Sequence, residues 1–205
     1  MNVILTIGRE YGSGGRYIGQ KVAEKLNIPF YDKELIMKVH EKGGFDYHKL
    51  ETYDEVKKNA WTKALDILSI TRQEDAYDSD TYQVIMEETI KELAATHSCV
   101  ILGRNSNKIL SECPNVLKIF IYSKDLNFKI QRKMQLENMN YEETLKKLKD
   151  IDKKRKEYYE YYNKNSKWGT KNDYDFCLDS STLGIDKTID LIVYIYKKFQ
   201  DNLKK

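Results

Sequence analysis

Val3-Ile4-Leu5-Thr6-Ile7-Gly8-Arg9-Glu10-Tyr11-Gly12-Ser13-Gly14-Gly15-Arg16 is a short apolar run that breaks into a cluster of glycines. Val3 to Ile7 is rich in β-branched residues and reads as a buried strand. From Arg16 to Leu26 the apolar positions Ile18, Val22, Ala23 and Leu26 recur at helical spacing. Between strand and helix, glycines let backbone N–H groups turn inward around an anion, and the helix N-terminus adds partial positive charge. A strand, a glycine loop and a helix in this order point to a phosphate cradle more strongly than the glycine pattern alone.

The rest of the chain repeats the alternation. Ile28-Pro29-Phe30-Tyr31 reads as a second short strand, and Asp32 as the N-cap of a helix through Val39 that ends at Gly43-Gly44. Cys99 to Leu102, Val116 to Tyr122 and Phe176 to Leu178 are three further strands. Helices are expected from about Thr81 to Thr96, over Ser106 to Leu110, from a Ser123 cap through Arg132, over Tyr141 to Tyr162, and from Asp186 to Leu203. Short, continuously apolar strands joined by helical crossovers imply an α/β fold: a five-stranded parallel sheet with helices on both faces. Residues 45–98 contain neither proline nor glycine and are too long for a simple crossover. They read as an inserted helical subdomain within a single domain spanning 1–205.

Composition narrows the class. The 205 residues carry 35 basic and 32 acidic side chains, a net charge of +3. That balance gives no global case for nucleic-acid binding. Charged residues reach 33% against a usual ~25%, and the mean hydropathy is −0.69. No stretch approaches the ~20 apolar residues of a membrane span. The opening apolar run ends at Ile7, too short for a secretory leader. A soluble, cytoplasmic protein is therefore expected. Cys99, Cys113 and Cys177 are too widely spaced for a metal or disulfide framework and read as small core residues.

Six of the 35 basic residues are arginine: Arg9, Arg16, Arg72, Arg104, Arg132 and Arg155. In a chain that uses lysine for plain positive charge, arginine marks positions where a planar fork would serve, as on phosphate. The loop itself departs from a standard phosphate-binding loop. Gly15 stands where a lysine is usual, and Tyr17 where a hydroxyl would help hold magnesium. Arg16 can supply the missing charge, with Arg9 in reserve. Gly12, Ser13, Gly14, Gly15, Arg16 and Tyr17 form the expected nucleotide cradle. Phosphoryl transfer needs positioning and positive charge more than covalent help. If the chain transfers phosphoryl groups, as the family resemblance described next implies, the catalytic set is Arg16, Arg104, Arg155 and Arg132.

The chain resembles the cytidylate-kinase-like branch of the P-loop nucleoside monophosphate kinases. The resemblance rests on the glycine loop with its GSGGR, on Leu102-Gly103-Arg104-Asn105, and on Leu117-Lys118-Ile119-Phe120-Ile121. Asp152-Lys153-Lys154-Arg155 and Leu178-Asp179-Ser180-Ser181-Thr182-Leu183 complete it in order and spacing. It implies a P-loop kinase fold, an acceptor-binding insertion over 45–98 and a mobile lid over about 124–160. It implies transfer of the ATP γ-phosphoryl to a nucleoside monophosphate such as CMP or dCMP, with ATP and Mg²⁺ as cofactors. Arg104 matches the arginine that holds the acceptor phosphate, with Asn105 replacing an aspartate. Asp152 and Arg155 match the acceptor-binding pair after the lid, and at i, i+3 they share one helix face. Asp32 lies near the acceptor-binding turn. No metal ligand is identified, and Ser13 is the nearest hydroxyl.

Two other readings stay open. Gly15 and Tyr17 are also compatible with a nucleotide-binding protein without turnover. Asp32-Lys33-Glu34 departs from the usual acceptor turn and is compatible with a kinase for another small phosphate or hydroxyl acceptor. In every reading the partners are small molecules, not nucleic acid or membrane. His40, His48 and His97 suggest no ligand set, and Tyr158, Tyr159, Tyr161 and Tyr162 read as packing residues.

Overall fold

A computed structural model of the chain describes residues 2–32, 35, 38 and 79–204. Residues 45–78 of the inserted subdomain expected over 45–98, with Arg72 among them, and most of the helix expected after Asp32 lie outside the described residues.

The central strand is β1 (Ile4–Arg9), followed by α1 (Gly15–Leu26) and β2 (Phe30–Tyr31). Then come α2 (Ser79–Thr96), β3 (Cys99–Leu102), α3 (Ser106–Ile109) and β4 (Val116–Tyr122). The chain closes with α4 (Leu126–Glu137), α5 (Tyr141–Tyr162), β5 (Phe176–Asp179), α6 (Ser180–Leu183) and α7 (Ile185–Asn202). All strands pair in parallel in the order β2-β3-β1-β4-β5. Ile4 sits between Cys99 of β3 and Val116 of β4. The five expected strands are all present, in one all-parallel α/β sheet.

The alternation of side chains along β1 builds two cores. Val3, Leu5 and Ile7 face α1 and α7, where Ile18, Val22, Ile189 and Ile192 cover them. Ile4 faces the other way, with Cys99, Ile101 and Val116, against Met86 and Ile90 of α2 and Leu110 beyond α3. Both faces of the sheet are apolar, which is why its strands read as continuous hydrophobic runs. Residues 79–96, inside the stretch read as an insertion, are thus a cover of the sheet.

Two local expectations differ. The helix after β4 is capped by Asp125, not Ser123: the Asp125 carboxylate accepts from Asn127 N at 2.9 Å and Phe128 N at 3.2 Å. An ionised cap is the stronger acceptor, and Ser123 instead donates to the Asp125 carbonyl. The helix also runs past Arg132 to Glu137. Cys99 is a core residue whose thiol is pushed up to about 12 by burial, but Cys113 is exposed. No helix among the described residues is long and apolar enough to cross a membrane.

Candidate functional site

In open parallel sheets, ligands bind beyond the carboxyl ends of the strands where the strand order reverses. Here that point is the end of β1, between β3 and β4, and the glycine loop lies on it. Gly12 and Gly14 take left-handed conformations, φ +83° and +84°, that side chains resist. Gly14 is the N-cap of α1, makes no side-chain cap, and no acidic residue follows in the first turn. Among the described residues, the N–H groups of Gly12, Ser13 and Gly14 donate to nothing. An uncapped helix start with unused donors is the arrangement that holds a phosphate.

The loop is anchored from behind. Ser13 is fully buried, its hydroxyl 2.8 Å from the Glu10 carbonyl and 3.1 Å from that of Ile121. Gly15 N donates to the same oxygen at 3.3 Å. Ser180, at the end of β5, donates to the Ser13 carbonyl at 2.7 Å. These bonds tie the loop to β4 and β5 and turn the Ser13 hydroxyl into the protein.

The arginines occupy distinct places. Arg132 of α4 lies over the loop: a Cβ on Gly14 would sit 3.5 Å from its Nε and 3.7 Å from its Cζ. Its guanidinium is half-buried and has no carboxylate partner among the described residues. Burial pushes its pKa down, Tyr17 opposes the shift, and the group stays charged. Arg16 pairs with Asp32 beyond β2 at 2.5 Å, its own side chain 61% exposed. Arg9 is buried, and its guanidinium runs beneath Gly103, where any Cβ would collide with Nη1.

Beyond β3, Gly103, Arg104 and Asn105 are consecutively left-handed, φ +71°, +56° and +54°. For Arg104 and Asn105 this conformation costs roughly 1 kcal/mol each, strain that tends to gather at functional sites. Gly103 N donates to the Ile7 carbonyl at 2.9 Å, which fixes the turn beside β1. Asn105 is 5% exposed, and its Nδ2 is buried without a hydrogen-bond partner. The next turn is held by Asn107, whose amide donates to the Tyr159 hydroxyl at 2.9 Å.

Asp152 and Arg155, on one face of α5, lie 3.6 Å apart as the i, i+3 spacing implies. Both reach the loop. The Asp152 carboxylate accepts from Tyr11 N at 2.7 Å, and Arg155 Nη1 donates to the Arg9 carbonyl at 3.2 Å. Burial raises the Asp152 pKa to about 6, against the opposing pull of Arg155 and the Tyr11 N–H.

Tyr11 fills a socket between α4 and α5 lined by Ile130, Leu148 and Ile151. Its hydroxyl donates to Glu137 at 2.6 Å, and the Lys133 ammonium lies 4.1 Å from its ring centre. Glu137 also accepts from Lys133 at 2.7 Å and Lys147 at 2.5 Å. Burial alone would raise the Glu137 pKa, but these hydrogen bonds outweigh it and hold the carboxyl at about 2. Sequence reasoning did not place Tyr11, Lys133, Glu137 or Lys147 in the site. The aromatic residue inside a glycine loop was the only local signal. Among the described residues, no three His, Cys, Asp or Glu side chains converge as a metal site would require.

The family model described as the cytidylate kinase-like family matches residues 4–182. An uncharacterized protein from Eubacterium ventriosum, known from a crystal structure, is 30% identical, with a TM-score of 0.71 over 96% of this chain and 99% of that one. Shikimate kinase from Bacteroides thetaiotaomicron is 15% identical, with a TM-score of 0.52 over 99% of both chains. A gluconokinase from Sinorhizobium meliloti is 12% identical, with a TM-score of 0.50 over 99% of this chain and 95% of that one. The last two are likenesses of fold. No curated protein matches the chain.

Proposed function

The chain belongs to the cytidylate kinase-like family, and we propose that it transfers the γ-phosphoryl of ATP to a nucleoside monophosphate, CMP or dCMP first among them. A phosphate oxygen of the acceptor attacks the γ-phosphorus, the bond from that phosphorus to the β–γ bridging oxygen breaks, and ADP leaves. The observation that carries this reading is the uncapped start of α1 behind the glycine loop, faced by the half-buried guanidinium of Arg132.

Gly12 to Tyr17 cradle the ATP phosphates through their backbone. Arg132 supplies the charge that Gly15 does not. Arg104, at the strained end of β3, holds the acceptor phosphate, with the Asn105 amide beside it. Arg16 and Asp32 form a pair at the acceptor side of α1. Mg²⁺ arrives with the nucleotide, held by its phosphates and water, as this small cation often is. The Ser13 hydroxyl, bonded to two carbonyls, does not fit a role as its ligand.

The test is ADP release in a coupled assay with ATP and Mg²⁺, over CMP, dCMP, UMP, AMP, GMP and no acceptor. Acceptor-dependent turnover, strongest with CMP, is the expected result. Nucleotide binding without turnover on any acceptor would instead mark a non-catalytic binding protein. A second reading, a kinase for another small acceptor, is favoured by one observation: Asp152 and Arg155, implied by resemblance to hold the acceptor, both bond to the glycine loop. Extending the panel to small alcohols and sugar phosphates decides between the two.

A further inference from the structure

We infer that Asp152 and Arg155 are positioning residues of the glycine loop, so that α5 sets nucleotide affinity and not acceptor affinity. The inference rests on the kinase reading for its kinetic test, but its geometry stands independently.

Three contacts place α4 and α5 against the loop. The Asp152 carboxylate takes the Tyr11 N–H at 2.7 Å. Arg155 takes the Arg9 carbonyl at 3.2 Å, and the two side chains are 3.6 Å from each other. The Tyr11 side chain is held by Glu137 at 2.6 Å. The peptide groups on either side of Glu10, where the chain leaves β1 for the cradle, are thus held by one face of α5. The packing is close: a Cβ on Gly12 would lie 2.8 Å from Lys129 Cβ of α4 and 3.0 Å from Leu148 Cδ2 of α5.

A cradle made of backbone N–H groups works only if those groups already point at the phosphate, since reorienting them on binding costs affinity. Gly12, Gly14 and Gly15 impose little restraint of their own, and the Ser13 hydroxyl ties the middle of the loop to the Glu10 and Ile121 carbonyls. At the entry to the loop the restraint comes from α5, through the charge-assisted bond that Tyr11 N donates to a largely buried carboxylate. Asp152 has its nearer oxygen on the loop and its neighbour Arg155 on the loop carbonyl. Both therefore contact the backbone that leads into the cradle.

The test compares wild type with Asp152→Ala, Asp152→Asn, Arg155→Ala and Arg155→Lys. It measures ATP affinity by calorimetry without acceptor, KM for ATP and for CMP, and amide exchange of the segment 10–14. Asp152→Ala is expected to weaken ATP binding about tenfold, the worth of one charge-assisted hydrogen bond, and to speed amide exchange, with KM for CMP unchanged. In Asp152→Asn the amide oxygen can still accept from Tyr11 N. This variant is expected to recover ATP affinity to within about threefold, and it keeps the test decisive if Asp152→Ala does not fold. A rise in KM for CMP with ATP affinity unchanged, in either Asp152 variant or in Arg155→Lys, overturns the inference. Wild type that binds no nucleotide overturns the kinase reading. Amide exchange then decides the positioning role alone: faster in Asp152→Ala supports it, and unchanged overturns it.

Discussion

Arg132→Ala separates function from stability at the loop. The Arg132 guanidinium is half-buried, lies over Gly14, and has no carboxylate partner among the described residues. A phosphate seated on the loop N–H groups would lie about 5 Å from it, and at an effective dielectric of ~20 two unit charges at that distance attract by roughly 3 kcal/mol. That corresponds to a loss on the order of 10² in kcat/KM for ATP when the charge is removed. The unliganded protein responds oppositely. Deleting a desolvated cation that has no carboxylate partner among the described residues removes a burial penalty, so the unfolding free energy should hold steady or rise by up to about 1 kcal/mol. Arg132→Lys keeps the charge, loses the fork, and should fall between the two. Arg16→Ala removes an exposed pair with Asp32, worth at most about 1 kcal/mol, so its loss should stay under about fivefold. Steady-state kinetics with ATP varied, together with urea unfolding of the same preparations, tests all three. Arg132→Ala within threefold of wild type, or a larger loss in Arg16→Ala, would refute the assignment of the loop charge to α4.

Two further outcomes follow from the loop's anchors. Ser13→Ala removes a buried hydroxyl bonded to the Glu10 and Ile121 carbonyls and should cost about 1 kcal/mol in urea unfolding. The Mg²⁺ concentration for half-maximal turnover should not change, and an increase would mean that the hydroxyl serves the metal. The Glu137 carboxyl is depressed from 4.5 to about 2, so its contribution to stability is present above 4.5 and lost as pH falls through 2. Wild type should therefore lose roughly 2 kcal/mol between pH 6 and 3 that Glu137→Gln does not lose, read by urea unfolding at pH 6, 4 and 3. Parallel pH profiles for the two proteins would contradict the Lys133–Glu137–Lys147–Tyr11 cluster.

Much of the fold was legible because its signals are local. Continuous β-branched runs at 3–7, 99–102 and 116–122 mark strands buried on both faces. Asn140 and Glu143 form a capping box within four residues, and α5 starts where the charged periodicity starts. The Ser123 cap was misplaced because Asp125, two residues on, is the stronger acceptor and competes for the same N–H groups. At the site, the cradle was legible in its glycines, and Arg104 and Asn105 in their place after a strand. The role of each arginine was not. Arg16 is next to the cradle in sequence, yet α1 carries its side chain toward Asp32.

An α/β protein with a parallel sheet, a glycine loop at the end of its first strand and six arginines is readable along the chain. Those features depend on contacts within a few residues, where backbone conformation and side-chain periodicity act directly. That Arg132 overlies the loop, and that Asp152 and Arg155 bond to it from α5, emerges with the packed fold. The bond from Tyr11 N to Asp152 joins residues 141 positions apart, and that from Tyr11 to Glu137 spans 126. Such pairs are set by how α4 and α5 pack beside β1, a consequence of the whole core that no local pattern encodes.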